Sequence, residues 1–151
     1  MVKAIYFDMD GTIANLYQIK NWLDKLLACN PAPYHDAEPM YNMEELSNIL
    51  QDLQNNGWQI GVISWLSKNA DKAYSNRIRY AKKKWLKKHL KINFNELHFT
   101  KYGKEKFDMA KHKPGILIDD NEEVRKNWEA RGGIAINPTT ELLDFLKKLE
   151  K

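Results

Sequence analysis

The sequence predicts an α/β fold: a parallel five-stranded sheet with helices on both faces, in three Rossmann-like layers. Two observations predict it. Short apolar runs alternate along the chain with stretches whose apolar residues recur at helical spacing. Those runs are apolar almost throughout, as strands covered on both sides are. The 151 residues are 43% hydrophobic and 29% charged, which suits one globular domain, residues 1–151, with a proper core.

The strand candidates are residues 3–8 (KAIYFD), 58–64 (WQIGVIS), 96–100 (ELHFT), 115–119 (GILID) and 133–137 (GIAIN). Between the first two lie "LYQIKNWLDKLLA" at 16–28, which reads as one amphipathic helix, and a proline-broken loop at 29–42. Residues 43–56 place Leu46, Ile49, Leu50 and Leu53 on one side of a helix that stops at Gly57. Residues 69–90 read as one long helix or two shorter ones, 104–112 as a short helix, and 121–131 as another closed by Gly132-Gly133. The last helix follows Pro138-Thr139-Thr140, where a hydroxyl is available as a cap.

Several classes are disfavoured. One cysteine, Cys29, excludes an intrachain disulfide and a cysteine-based zinc site, and the four histidines have no ligand-like spacing. No apolar run approaches the roughly 18 residues of a membrane span, and no signal-peptide pattern precedes the first strand. The expected setting is therefore reducing and cytoplasmic, without a membrane partner. The net charge of +4 is unevenly spread: "RIRYAKKKWLKKHLK" at 77–91 holds eight Lys and Arg and no acid. Ile78, Ala81, Trp85 and Leu86 recur at helical spacing there, so the block reads as a solvated helix face, with nucleic-acid binding as the alternative.

Functional groups of such sheets collect at the carboxyl ends of the strands. Here the first strand ends in Asp8-Met9-Asp10, the second in Ser64 and the fourth in Asp119-Asp120. Two acids one residue apart repel unless something offsets their charge. A divalent cation would do so, and a site built around one suits a phosphoryl group. Read singly, Asp119-Asp120 is also a helix-capping pattern and Ser64 an ordinary strand-end serine.

"YFDMDGT", "GVIS" and "ILIDD" together resemble the haloacid dehalogenase-like phosphohydrolases, whose first strand ends in Asp-x-Asp-Gly-Thr or Asp-x-Asp-Gly-Val. The resemblance runs from residue 3 to about residue 137. It implies Asp8 as a nucleophile that forms an aspartyl-phosphate, and Asp10 as the acid and base for leaving group and water. It further implies Mg²⁺ held by Asp8, the Asp10 carbonyl and one of Asp119 or Asp120, with Asp120 preferred as direct ligand. Thr12 would support the turn after the first strand, and Ser64 would donate to a phosphoryl oxygen. The family places a lysine after the third strand near a helix start. Lys104 fits best, ahead of Lys101 and Lys113.

In this family the segment after the first motif forms a lid, so residues 13–42 imply a small helical cap and an open site. "DMDGTIANLY", "ISWLS", "RYAKKKWLKKHL" and "LIDD" look most like the 5'(3')-deoxyribonucleotidase branch, which implies a small nucleotide as substrate. Trp65, Tyr17, Trp22 or Tyr34 could stack on its base, although Trp22 and Trp65 fit core packing equally well. The alternatives are a phosphatase of nucleic-acid ends or other phosphorylated metabolites, and a non-catalytic phosphate-binding module.

Overall fold

β1 (Ala4–Phe7) is wholly buried, and its side chains divide between two cores by simple strand alternation. Ile5 and Phe7 enter the core on one face; Ala4 and Tyr6 enter the core on the other. The computed structural model describes residues 2–150. β2 (Gln59–Trp65), β3 (Glu96–Thr100), β4 (Ile116–Ile118) and β5 (Ile134–Ile136) complete one parallel sheet in the order β3-β2-β1-β4-β5. The chain fills the sheet on one side of β1 and then crosses to the other. That makes the carboxyl ends of β1 and β4 the switch point of strand order, where such sheets bind ligands.

One face is covered by α3 (Met43–Asn55), α6 (Leu142–Leu149) and the buried side of α4 (Lys72–His89), through residues such as Leu50, Leu53, Trp85 and Leu146. The other is covered by α5 (Glu122–Ala130), whose Trp128 packs with Phe107 and Tyr6. α3, α4 and α5 each start at a side-chain cap: the side chains of Asn42, Asp71 and Asn121 accept the N–H of Glu45, Tyr74 and Val124. Each such cap contributes about 1 kcal/mol.

Residues 69–90 form one helix rather than two, starting at Lys72. Four other helical expectations change. The predicted helix over 16–28 is split into a 3-10 turn (Leu16–Gln18) and α1 (Trp22–Leu27), because Asn21 between them is left-handed with φ of 59°. The loop at 29–42 contains α2 (Ala32–Asp36), and 104–112 forms only a 3-10 turn at Lys106–Asp108. No threonine side chain caps α6; instead Thr139 Oγ1 accepts the N–H of Glu141, the residue preceding it. The segment 13–42 joins the body through Leu16 and Tyr34, which pack against Leu66, Tyr74, Ile78 and Ala81.

A second polar constraint crosses the sheet. Tyr6, Gly61 and Glu96 are paired in register across β1, β2 and β3, and a side chain on Gly61 would run into the Tyr6 ring. The gap lets the Tyr6 hydroxyl donate to Glu96 Oε2 at 2.6 Å. His112 Nδ1, His98 Nε2 and the Lys111 N–H complete the set at 2.9, 2.9 and 3.0 Å. A carboxylate only accepts, so both ring nitrogens carry their protons. Burial pushes Glu96 up, but these donors outweigh it and hold its carboxyl down at about 2. A depressed acid stabilises the fold above its unfolded value and loses that contribution as pH falls toward the folded one. Glu96→Gln sets an amide N–H₂ against these donors and should cost about 1–3 kcal/mol at pH 7 in chemical denaturation. The variant should also lack the part of the wild-type stability loss that falls between about pH 4.5 and 2.

Candidate active site

The backbone ladder continues past the strands and sets their tips side by side. The Asp8 N–H donates to Ile118 O at 2.9 Å, and the Asp119 N–H to Ile136 O at 3.1 Å. After Asp8 the chain closes a tight loop in which the N–H groups of Thr12, Ile13 and Ala14 all point at Met9 O, at 3.0 Å each. Gly11 turns that loop with φ of +82°, and a Cβ there would meet the Asp120 carboxylate and the Tyr17 ring. Glycine is the residue this approach requires.

Four carboxylates converge. One oxygen from each of Asp8, Asp119 and Asp120 lies within 4.8 Å of the others. Asp8 and Asp119 are buried, while Asp120 is exposed at the mouth. Thr12 Oγ1 sits 2.9 Å from Asp8 Oδ2 and 3.2 Å from Asp120 Oδ1, and accepts the Asp120 N–H at 3.1 Å. Its single proton serves one carboxylate at a time. Burial raises the pKa of Asp119, partial desolvation raises that of Asp120 although its outer side faces solvent, and the charge of Asp8 adds to both shifts. Asp10 is raised as well, first by burial and then by Asp8, against the pull of Lys82.

Two buried lysines offset part of this charge. Lys106 Nζ bridges Asp8 Oδ1 at 2.9 Å and Asp119 Oδ2 at 2.7 Å. Burial works against its charge, yet the two acids win and its pKa is raised. Two hydrogens are thereby used, and the third is free among the described residues. Lys82, from α4, donates to Asp10 Oδ2 at 3.0 Å, Ser64 Oγ at 2.7 Å and the Trp65 carbonyl at 2.7 Å.

The predicted residues Asp8, Asp10, Thr12, Ser64, Trp65, Asp119 and Asp120 are thus gathered at one end of the sheet. Lys104 is not, and this corrects the expectation. Its side chain is exposed, and only its carbonyl reaches the site's edge, accepting the Trp65 Nε1–H at 2.8 Å. Lys101 and Lys113 are exposed too, with Lys113 Nζ donating to Phe107 O. Lys106 takes the place expected for Lys104 because the helix foreseen from 104 shrinks to a turn that begins two residues later. Lys82 was hidden in the basic block. The signal for it was present: with Ile78, Ala81, Trp85 and Leu86 it occupies the helix's buried stripe.

Above the carboxylates opens a cavity of about 420 Å³, a usual size for small-molecule sites. Leu16, Tyr17, Trp22, Leu26, Tyr34 and Trp65 are among its walls. Tyr17 is half-exposed and stands edge-on to Trp22 at 4.9 Å, whereas Tyr34 is buried with its hydroxyl against Ser67. Tyr102, which the sequence did not single out, packs 5.0 Å from Trp65.

The donor set fits a hard divalent cation. Two lysines against four carboxylates leave a formal charge of two negative, and every side-chain donor here is oxygen. Both oxygens of Asp119 are occupied, by Lys106 and the Asn121 N–H, but Asp120 Oδ2 has no hydrogen-bond partner among the described residues. Millimolar Mg²⁺ should therefore raise the thermal unfolding midpoint, since binding to the folded state alone stabilises it. Asp120→Asn should abolish most of that rise, measured by scanning calorimetry.

No family model matches the sequence, and no curated protein is detectably similar to it. Among solved structures, the chain is similar to D,D-heptose 1,7-bisphosphate phosphatase from Burkholderia thailandensis, with a TM-score of 0.53 and 12% identity over 87% of this chain and 74% of that one. At that identity the likeness is one of architecture. No helix of the described residues is long and apolar enough to cross a membrane. The chain shares its α/β fold with that phosphatase: a five-stranded parallel sheet between helical layers, here with a short helical segment after the first strand.

Proposed function

We propose that the protein is a Mg²⁺-dependent phosphomonoester hydrolase acting through an aspartyl-phosphate on Asp8. The observation that carries this reading is Asp8 itself: a buried carboxylate held by Lys106 and Thr12 at the floor of an open cavity, with Asp10 two residues away. The similarity of fold to a phosphatase supports it.

Asp8 attacks phosphorus and the ester oxygen departs. Asp10, held toward its protonated form by burial, gives that oxygen a proton and later takes one from the water that cleaves the acyl phosphate. Lys106 neutralises Asp8 and has a hydrogen left for a phosphoryl oxygen. Ser64 donates a second contact. Asp8, the Asp10 carbonyl and Asp120 would hold Mg²⁺, which supplies positive charge to the phosphoryl oxygens. Asp119 orients Lys106 from behind.

The substrate we propose is a small nucleotide, and the leaving group is its nucleoside. The neighbouring phosphatase is named for a sugar bisphosphate, but the cavity walls here are aromatic and aliphatic, which suits a flat base better than a polyhydroxyl ring. One observation favours nucleic-acid ends as a second reading: Lys83, Lys84, Lys87 and Lys88 form an exposed basic stripe on α4. On that reading phosphate release from end-phosphorylated oligonucleotides would outpace mononucleotides and fall steeply with salt.

Phosphate release with Mg²⁺ should be measured on mononucleotides, sugar phosphates and end-phosphorylated oligonucleotides. Asp8→Asn should reduce it to background, and full activity in that variant would remove Asp8 as nucleophile and leave a phosphate-binding role. Asp10→Asn should lower kcat about 10²- to 10⁴-fold. Tyr17→Ala should lower kcat/KM for mononucleotides by about 5- to 150-fold, with little effect on methyl phosphate, if the ring stacks on the base.

A further inference from the structure

Lys82 is an unusual group to find completely buried in the middle of a helix. The segment that carries it is the most basic in the chain, and its other lysines and arginines lie at or near the surface. An ammonium has three hydrogens. Lys82 spends one on Asp10 Oδ2, one on Ser64 Oγ and one on the Trp65 carbonyl, with the Tyr34 ring 4.9 Å from Nζ. None is left for a substrate. Lys106 differs: it uses two and keeps the third.

We propose that Lys82 is a positioning residue which aims both Asp10 and Ser64 at the reacting phosphoester. The inference rests on the phosphatase reading above and adds a residue to it. By engaging Oδ2, Lys82 leaves Asp10 Oδ1, which has no hydrogen-bond partner among the described residues, as the oxygen that passes a proton to the departing ester oxygen. The proton moves from Oδ1 to the leaving alcohol and is replaced from the attacking water. By donating to Ser64 Oγ, Lys82 makes that oxygen an acceptor and leaves the buried Ser64 O–H, which has no acceptor among the described residues, to donate to a phosphoryl oxygen. A single ammonium thus connects the tips of β1 and β2 and fixes the direction of two hydroxylic protons.

A general acid matters for a poor leaving group and hardly at all for a good one. The test compares single-turnover ester cleavage by wild type and Lys82→Met on a nucleoside 5'-monophosphate, an alkyl ester, and on 4-nitrophenyl phosphate. The expected result is a loss at least about tenfold larger on the alkyl ester. That excess should vanish when Lys82→Met is placed in an Asp10→Asn background. Equal losses on the two esters, or an excess that survives in that background, would overturn the proposal. Inactive wild-type protein would instead overturn the phosphatase reading on which it rests.

Should Lys82→Met fail to fold, the same contact is read with Lys82 intact. Lysine-¹⁵N-labelled protein should show slowly exchanging ammonium signals for the two buried lysines. Asp10→Asn should shift one of them and Asp8→Asn the other. A spectrum in which Asp10→Asn moves neither would sink the proposal by itself.

Discussion

The carboxyl end of the sheet depends on burying an ammonium between two carboxylates. Lys106 lies between Asp8 at the tip of β1 and Asp119 at the tip of β4, and all three side chains are nearly excluded from water. Removing one member of such a group leaves an uncompensated charge, which typically costs about 3–5 kcal/mol. The cluster therefore holds the two strand tips in one arrangement. It does so with a charge left over, because Asp120 and Asp10 add two more acids and only Lys82 answers them.

That surplus connects fold to chemistry. A site with more negative charge than its own cations can match fits a divalent ion, and on the proposed reading such an ion would face a phosphoryl group in the cavity above. The sheet topology sets the location. Since β1 has β2 on one side and β4 on the other, the loops after β1 and β4 leave in opposite directions and open a crevice between them. Gly11 keeps that crevice narrow by allowing the loop after Asp8 to pass against Asp120 and Tyr17.

The insertion after β1 shapes what reaches the crevice. Its 3-10 turn and two short helices carry Tyr17, Trp22 and Tyr34 to the cavity, and they rest on α4 through the cluster around Tyr74 and Ile78. α4 serves two environments at once. Its outer face is a stripe of solvated lysines, and its inner face delivers Lys82 to Asp10 and Ser64. Away from the site, Glu96 with Tyr6, His98 and His112 ties β1, β3 and the segment before β4 together. A single glycine in β2 makes room for that tie.

Local sequence sufficed for the strands, most helices and the acids, because each depends on neighbours along the chain. The apolar runs lie within a residue or two of β1 to β5. The positions of Asp8, Asp10, Ser64, Asp119 and Asp120 follow from where their strands stop. The lysines were a different matter. Whether Lys104 or Lys106 faces Asp8 turns on how a nine-residue segment coils, and it coils as a turn rather than a helix. Lys82 looked like one more solvated charge because hydropathy penalises lysine everywhere. Only the approach of α4 to the tips of β1 and β2 supplies the three acceptors that make its burial favourable. Charges are placed by the partners that tertiary structure brings to them, and a sequence does not display those partners.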